Sequence, residues 1–148
     1  MFGFLKRRKA QANKEEVLAV VAQTVDAINQ IVEGWRERLE MKRDLLLSYL
    51  DERLVEADTG GLSFAEWADI ELMAMLKNWH LGRDEEEAEV HKEIGPLWEY
   101  VDALGIRTEV EALVARTFDE VGHELTERAM DAANNEAARR GQPPLDFD

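Results

Sequence analysis

The sequence predicts an all-α fold, an antiparallel helical bundle built on one long N-terminal helix, with a two-faced central helix and a long C-terminal helix. Three observations lead there. Apolar residues recur at three- and four-residue intervals over long stretches, the spacing that lines one face of an α-helix. Glycine, proline and hydroxyl–carboxylate pairs fall where such stretches stop and start. Hydrophobic residues make up 45% of the 148 positions and charged residues 34%, enough apolar material to offset the entropy of ordering one domain of this size.

The first stretch carries Val17, Val21, Ile28, Val32, Trp35, Leu39, Leu46, Leu50 and Ala57. At about 100° per residue these hold one heading, which predicts a single helix from about residue 14 to 57, roughly 64 Å long. Gly34 is its weak point, costing about 1 kcal/mol relative to alanine, and a kink or break is expected there if anywhere. Thr59-Gly60-Gly61 ends the helix, because glycine accepts the left-handed conformation that closes helices.

Ser63-Phe64-Ala65-Glu66 has the capping-box pattern, so a second helix is expected from about 64 to Gly82. Ala68, Leu72, Met75, Leu76 and Trp79 form its core stripe, while Trp67, Ile70, Ala74 and Leu81 line a second side. A helix apolar on two sides is buried between neighbours or covered by a partner. Asp84 to Glu87 suit the positive start of a third helix running to Ile94. Gly95-Pro96 breaks it, and Pro96 opens a short helix to Leu104. Thr108 to Glu111 repeat the capping-box pattern before a last helix whose inner face holds Val110, Val114, Phe118, Val121, Leu125 and Ala132. The chain thus divides into a basic, flexible segment over 1–13, one bundle domain over 14–140, and a flexible tail over 141–148 that starts at Gly141 and Pro143-Pro144. A first helix this long overreaches partners less than half its length, so a homodimer or a larger helical protein partner is expected to cover it.

Charge and composition narrow the function classes. The chain has no cysteine, which removes disulfides, thiolate nucleophiles and thiolate metal sites and fits a cytoplasmic location. Of the net −14, residues 1–14 hold Lys6, Arg7, Arg8, Lys9 and Lys14 with no acid, leaving −19 on the remainder. So acidic a body is a poor match for nucleic-acid phosphates. The longest uncharged stretch, Val17 to Val25, has nine residues against the roughly 20 of a spanning helix. Glu15 and Glu16 also fit a secretion signal poorly.

Catalytic and cofactor motifs are sparse, and no cofactor is expected. The glycines form neither nucleotide-binding pattern, and Ser48 and Ser63 lie in no nucleophile setting. The Asp84–Glu89 cluster lacks the ligand spacing of a calcium loop. Glu120-Val121-Gly122-His123 matches the Glu-x-x-His spacing of carboxylate metal bundles. A ferritin-like carboxylate–histidine metalloprotein using Glu120, His123 and other helix-borne glutamates is therefore the alternative reading, though His123 lies almost opposite its helix's apolar stripe and no second such motif exists. His80 and His91 read as partly exposed structural residues. A small acidic secretion chaperone or immunity protein is a further alternative.

The sharper signal is the start, Met1-Phe2-Gly3-Phe4-Leu5-Lys6-Arg7-Arg8-Lys9. Phe2, Phe4 and Leu5 followed by Lys6, Arg7, Arg8 and Lys9 suit an anionic lipid surface, the apolar tip entering the interface and the cations holding the head groups. The sequence therefore points to a non-catalytic interaction or adaptor protein of the cytoplasm, peripheral at the inner membrane face. Trp67, Ile70 and Leu81 are the expected contacts to a protein partner.

Overall fold

The computed structural model describes the backbone of residues 3–147 and the side chains of 14–147. Four helices occupy it: α1 (Gly3–Val55), α2 (Phe64–Ile94), α3 (Leu97–Ala103) and α4 (Arg107–Arg139). No strand is present among the described residues.

α1 is one unbroken helix of 53 residues, about 80 Å long at the standard rise. It starts well before the expected residue 14, inside the segment read from sequence as a separate basic piece. Neither glycine nor proline occurs from Phe4 to Glu33, and the lysines, arginines, alanines and leucine there are good helix formers. Gly34 does not break it. A propensity cost of about 1 kcal/mol is small beside the packing on both sides of that position. Beyond Val55, Gly60 (φ 59°) and Gly61 (φ 90°) take left-handed conformations, and the Asp58 carboxylate accepts the Gly60 N–H at 3.1 Å to close the turn.

Ser63 caps α2 as expected, its Oγ accepting the Glu66 N–H at 3.2 Å. The expected break at Gly82 is absent: α2 runs 31 residues to Ile94 and absorbs the separately expected helix from Asp84. Gly82 lies beneath the Lys42 ammonium, and the pairs Lys42–Glu86 and Arg83–Glu87 just after it tie the continuing helix to α1 and to its own next turn. Gly95 (φ 42°) ends α2 and gives its N–H to the His91 carbonyl. The Trp98 indole binds that same carbonyl at 2.8 Å.

α3 is a single step back toward the start of α1. Thr108 caps nothing: α4 opens at Arg107 with Ile106 before it and no side-chain cap. Arg107 secures the corner instead, paired with Asp102 at 2.6 and 3.0 Å and stacked over Trp98 at 4.5 Å.

Three long helices make the bundle. The pairs Arg38–Glu93, Lys42–Glu86 and Arg53–Glu71 set α1 antiparallel to α2. Arg36–Glu120, Arg43–Glu124 and Asp44–Arg128 set α1 parallel to α4. Ile28, Val32, Leu39, Leu50 and Leu54 of α1 meet Ala68, Leu72, Met75 and Trp79 of α2 and Val114, Phe118, Val121 and Leu125 of α4 in one buried core. Toward the C-terminal end α4 switches to Ala129, Ala133 and Ala137, all buried, small side chains that let α1 and α2 close on it. α2 and α4 contain 31 and 33 residues, so they exceed half of α1, contrary to the expectation from sequence. The overreach remains, because α2 ends opposite Arg38 and α4 starts many residues after the start of α1.

The closed end is tied by Arg140. Its guanidinium donates to the Leu54 carbonyl at the end of α1, stacks over the Phe64 ring at 4.6 Å, and pairs with Glu136 at 3.0 Å. Glu136 is buried. Burial alone would raise its pKa, but hydrogen bonds from Arg139 and Arg140 outweigh it and lower the carboxyl.

Candidate functional site

Polarity separates the three outer grooves of the bundle. Between α1 and α4 the walls are acidic and polar, and a recess of about 340 Å³ there is lined by Asp51, Arg128, Asp131, Asn135 and Glu136. Between α2 and α4, Arg83 joins Glu87 and Asp119 at 2.6 and 2.7 Å. The α1/α2 groove is different. Leu45 and Tyr49 flank it on α1, Ile70 and Leu81 on α2, and Met41 stands at its rim, all more than half exposed. The helix register places Leu45 level with Leu81 and Tyr49 level with Lys77, since Arg53 pairs with Glu71 and Lys42 with Glu86. Those pairs also neutralise Glu71 and Glu86 beside the groove.

Of the three partner contacts expected from sequence, Ile70 (55% exposed) and Leu81 (67%) lie on this open face. Trp67 does not. It is turned inward at 7% exposure and stacks on Phe64 with centroids 6.2 Å apart. Its position at the edge between the two apolar sides of α2 let it join the core where α2 begins. Met41, Leu45 and Tyr49 were missed by the sequence reading, although their four-residue spacing away from the core stripe was a visible signal.

A second apolar region lies at the other end. Val17 and Leu18 are more than half exposed, and a recess of about 330 Å³ runs between Val17, Val20 and Val21 of α1 and Tyr100 and Ala103 of α3, with Glu16 at its lip. Every side chain from Lys14 to Ala19 is exposed. Of the expected membrane contacts, Phe2 lies outside the described residues. Phe4, Leu5, Lys6, Arg7, Arg8 and Lys9 fall in the first turns of α1, with their side chains outside the described set.

The Glu120–His123 pair is not drawn together. The Glu120 carboxylate accepts from Arg36 at 3.0 Å, while His123 points outward, 72% exposed at its side chain, and meets Glu127 at 3.1 Å. Among the described residues no group of three or more histidine or carboxylate side chains is arranged to hold a metal ion. His91 packs on Trp98 at 5.1 Å and His80 is exposed. Arg107 lowers Asp102, and the arginine pair lowers Glu136, the direction opposite to that of a poised general acid.

The fold is thus an up-down-up three-helix bundle with one helix drawn out past its partners, and its open features are an apolar groove and an extended basic start. Compared with protein-family models, with curated proteins and with solved structures, the chain matches none.

Proposed function

We propose that this chain is a non-catalytic helical adaptor of the cytoplasm. It attaches peripherally to an anionic membrane surface through Phe2, Phe4, Leu5 and Lys6 to Lys9, and engages protein through the α1/α2 face. The observation that carries the reading is the length of α1. A body carrying −19 is repelled by anionic lipid, and a basic segment lying against it would be neutralised. α1 instead continues as helix from Glu16 back to Gly3, about 20 Å at 1.5 Å per residue. Along it Lys6 to Lys9 stand about 9–14 Å from Glu15, more than one screening length of about 8 Å at physiological salt. The four cations Lys6 to Lys9 are therefore partly screened from the acids behind them, while Lys14 sits beside Glu15 and Glu16.

Each basic residue near an anionic surface contributes about 1 kcal/mol. Co-sedimentation with anionic and with neutral vesicles tests the proposal on the full chain and on one lacking residues 2–9. The expected result is salt-sensitive binding to anionic vesicles alone, lost on truncation. Replacing Arg7 and Arg8 by alanine should lower the partition about 30-fold, the equivalent of about 2 kcal/mol. Equal sedimentation of the full and truncated chains would reject it.

A further inference from the structure

After α4 the chain turns back on itself. Gly141 takes a left-handed conformation (φ 71°). Its N–H bonds the Ala138 carbonyl at 3.0 Å, and the Gln142 N–H bonds the Ala137 carbonyl at 2.9 Å. That pairing closes the helix and redirects the chain. Pro143 and Pro144 follow, both exposed. Neither has an N–H, and each fixes its own φ near −65°, so the segment is held extended. The next backbone donor is Leu145, and the Asn134 side-chain oxygen accepts its N–H at 2.8 Å. The tail therefore runs back alongside α4.

In an extended segment, residues two apart point to one side. Leu145 and Phe147 follow that rule: both are half-buried and pack against the hydrophobic core, while Asp146 between them is exposed. Asn134 ends the row Gly122, Thr126, Met130 and Asn134, spaced four apart along α4. Gly122 sits against the Trp79 indole of α2, so this row marks the flank of α4 turned toward α2.

We propose that this flank is a docking site for an extended protein segment with apolar residues at alternate positions and basic flanks, and that the tail fills it in cis as a releasable strap. The proposal stands apart from the α1/α2 face and from membrane attachment. The Asn134 carboxamide takes a backbone N–H, a contact any extended segment supplies, while the leucine and phenylalanine provide side-chain recognition. The exposed prolines contribute a preset conformation rather than burial. The strap is a chain end whose two anchoring side chains remain half in water, the kind of segment that opens at small cost. Charge selects what replaces it. The chain carries −14, so a segment with the same apolar pair and basic flanks is drawn in over long range and displaces the tail.

Fluorescence anisotropy of a labelled synthetic peptide repeating residues 141–148 tests the site. It is titrated with the native full chain and with the full chain carrying Leu145→Ser and Phe147→Ser. The substituted chain should keep its helicity and bind the peptide. The native chain should bind it about tenfold more weakly, since a short tether holds the tail at an effective concentration in the millimolar range. Two lysines added ahead of the peptide should tighten binding, a gain that fades in high salt. Adding Asn134→Ala to the substituted chain should weaken binding about fivefold, the worth of one net hydrogen bond. If the substituted chain loses helicity, the native chain decides: excess peptide should move the Leu145 amide resonance toward its free-peptide position. No binding by a folded substituted chain, equal binding by both chains, or equal binding of a peptide carrying both serines would overturn the proposal. So would a Leu145 resonance unmoved by excess peptide.

Discussion

The two halves of α1 carry similar apolar periodicity and meet opposite fates. From Ile28 to Leu54 the stripe is buried, with Leu39 and Leu54 at 1% exposure. Before Ile28 it continues in phase, yet Val17, Leu18 and Val25 are 51%, 58% and 39% exposed. Nothing in the residues themselves separates these leucines and valines. What separates them is whether α2 and α4 reach that far. Amphipathic pattern specifies a face, and the lengths of neighbouring helices decide whether the face is core or contact surface.

Substitutions can break or sharpen that contrast. The largest effect is expected at the centre of the buried half: Phe118, at 1% exposure, packs where α1, α2 and α4 meet, and Phe118→Ala should cost about 3–5 kcal/mol in denaturant unfolding. Gly122→Ala comes next. Its Cβ would stand 3.0 Å from Trp79 Nε1, with Trp79 locked in the core, so a loss of about 1–3 kcal/mol is expected from overpacking.

Glu136→Gln should cost a similar amount near neutral pH, about 1–3 kcal/mol, because it weakens charged hydrogen bonds at the Arg139 and Arg140 tie. The pH dependence has a definite sign. The Glu136 carboxyl is lowered in the folded chain, so its stabilisation is present above the unfolded value of about 4.3 and is lost as pH falls through the folded one. The stability gap between the native chain and Glu136→Gln should therefore narrow in acid unfolding series below about pH 4. The smallest effect is expected at Leu18→Ala, within about 0.5 kcal/mol for the isolated chain because its side chain is already in water. Salt should weaken attachment to anionic vesicles by screening the basic start from the lipid.

Much of the fold was legible because helix-forming signals are local. The α1 stripe, the Ser63 cap, the Gly60-Gly61 stop and the inner face of α4 all follow from residues within a few turns of one another. The Gly82 break and the Thr108 cap failed for one reason. Each was decided by a partner distant in sequence or by a stronger local competitor: Lys42 and Glu86 across the seam in the first case, Arg107 with Asp102 in the second. The site was legible by halves. Ile70 and Leu81 stood out because they line a second side of α2, but whether Trp67 joined them or the core depended on how the first turn of α2, with Phe64, packs into the bundle. Leu45 and Tyr49 gain meaning only beside α2, and that register is set by ion pairs no single stretch of sequence contains.

The central claim is that the uncovered half of α1 is a binding element and the covered half a scaffold. Amide hydrogen exchange along α1, with and without anionic vesicles, tests it most directly. The account predicts strong protection from Ile28 to Leu54 in both conditions, and protection over residues 3–16 that rises sharply only when anionic vesicles are present. Exchange over residues 3–16 that is unaltered by anionic vesicles would contradict it.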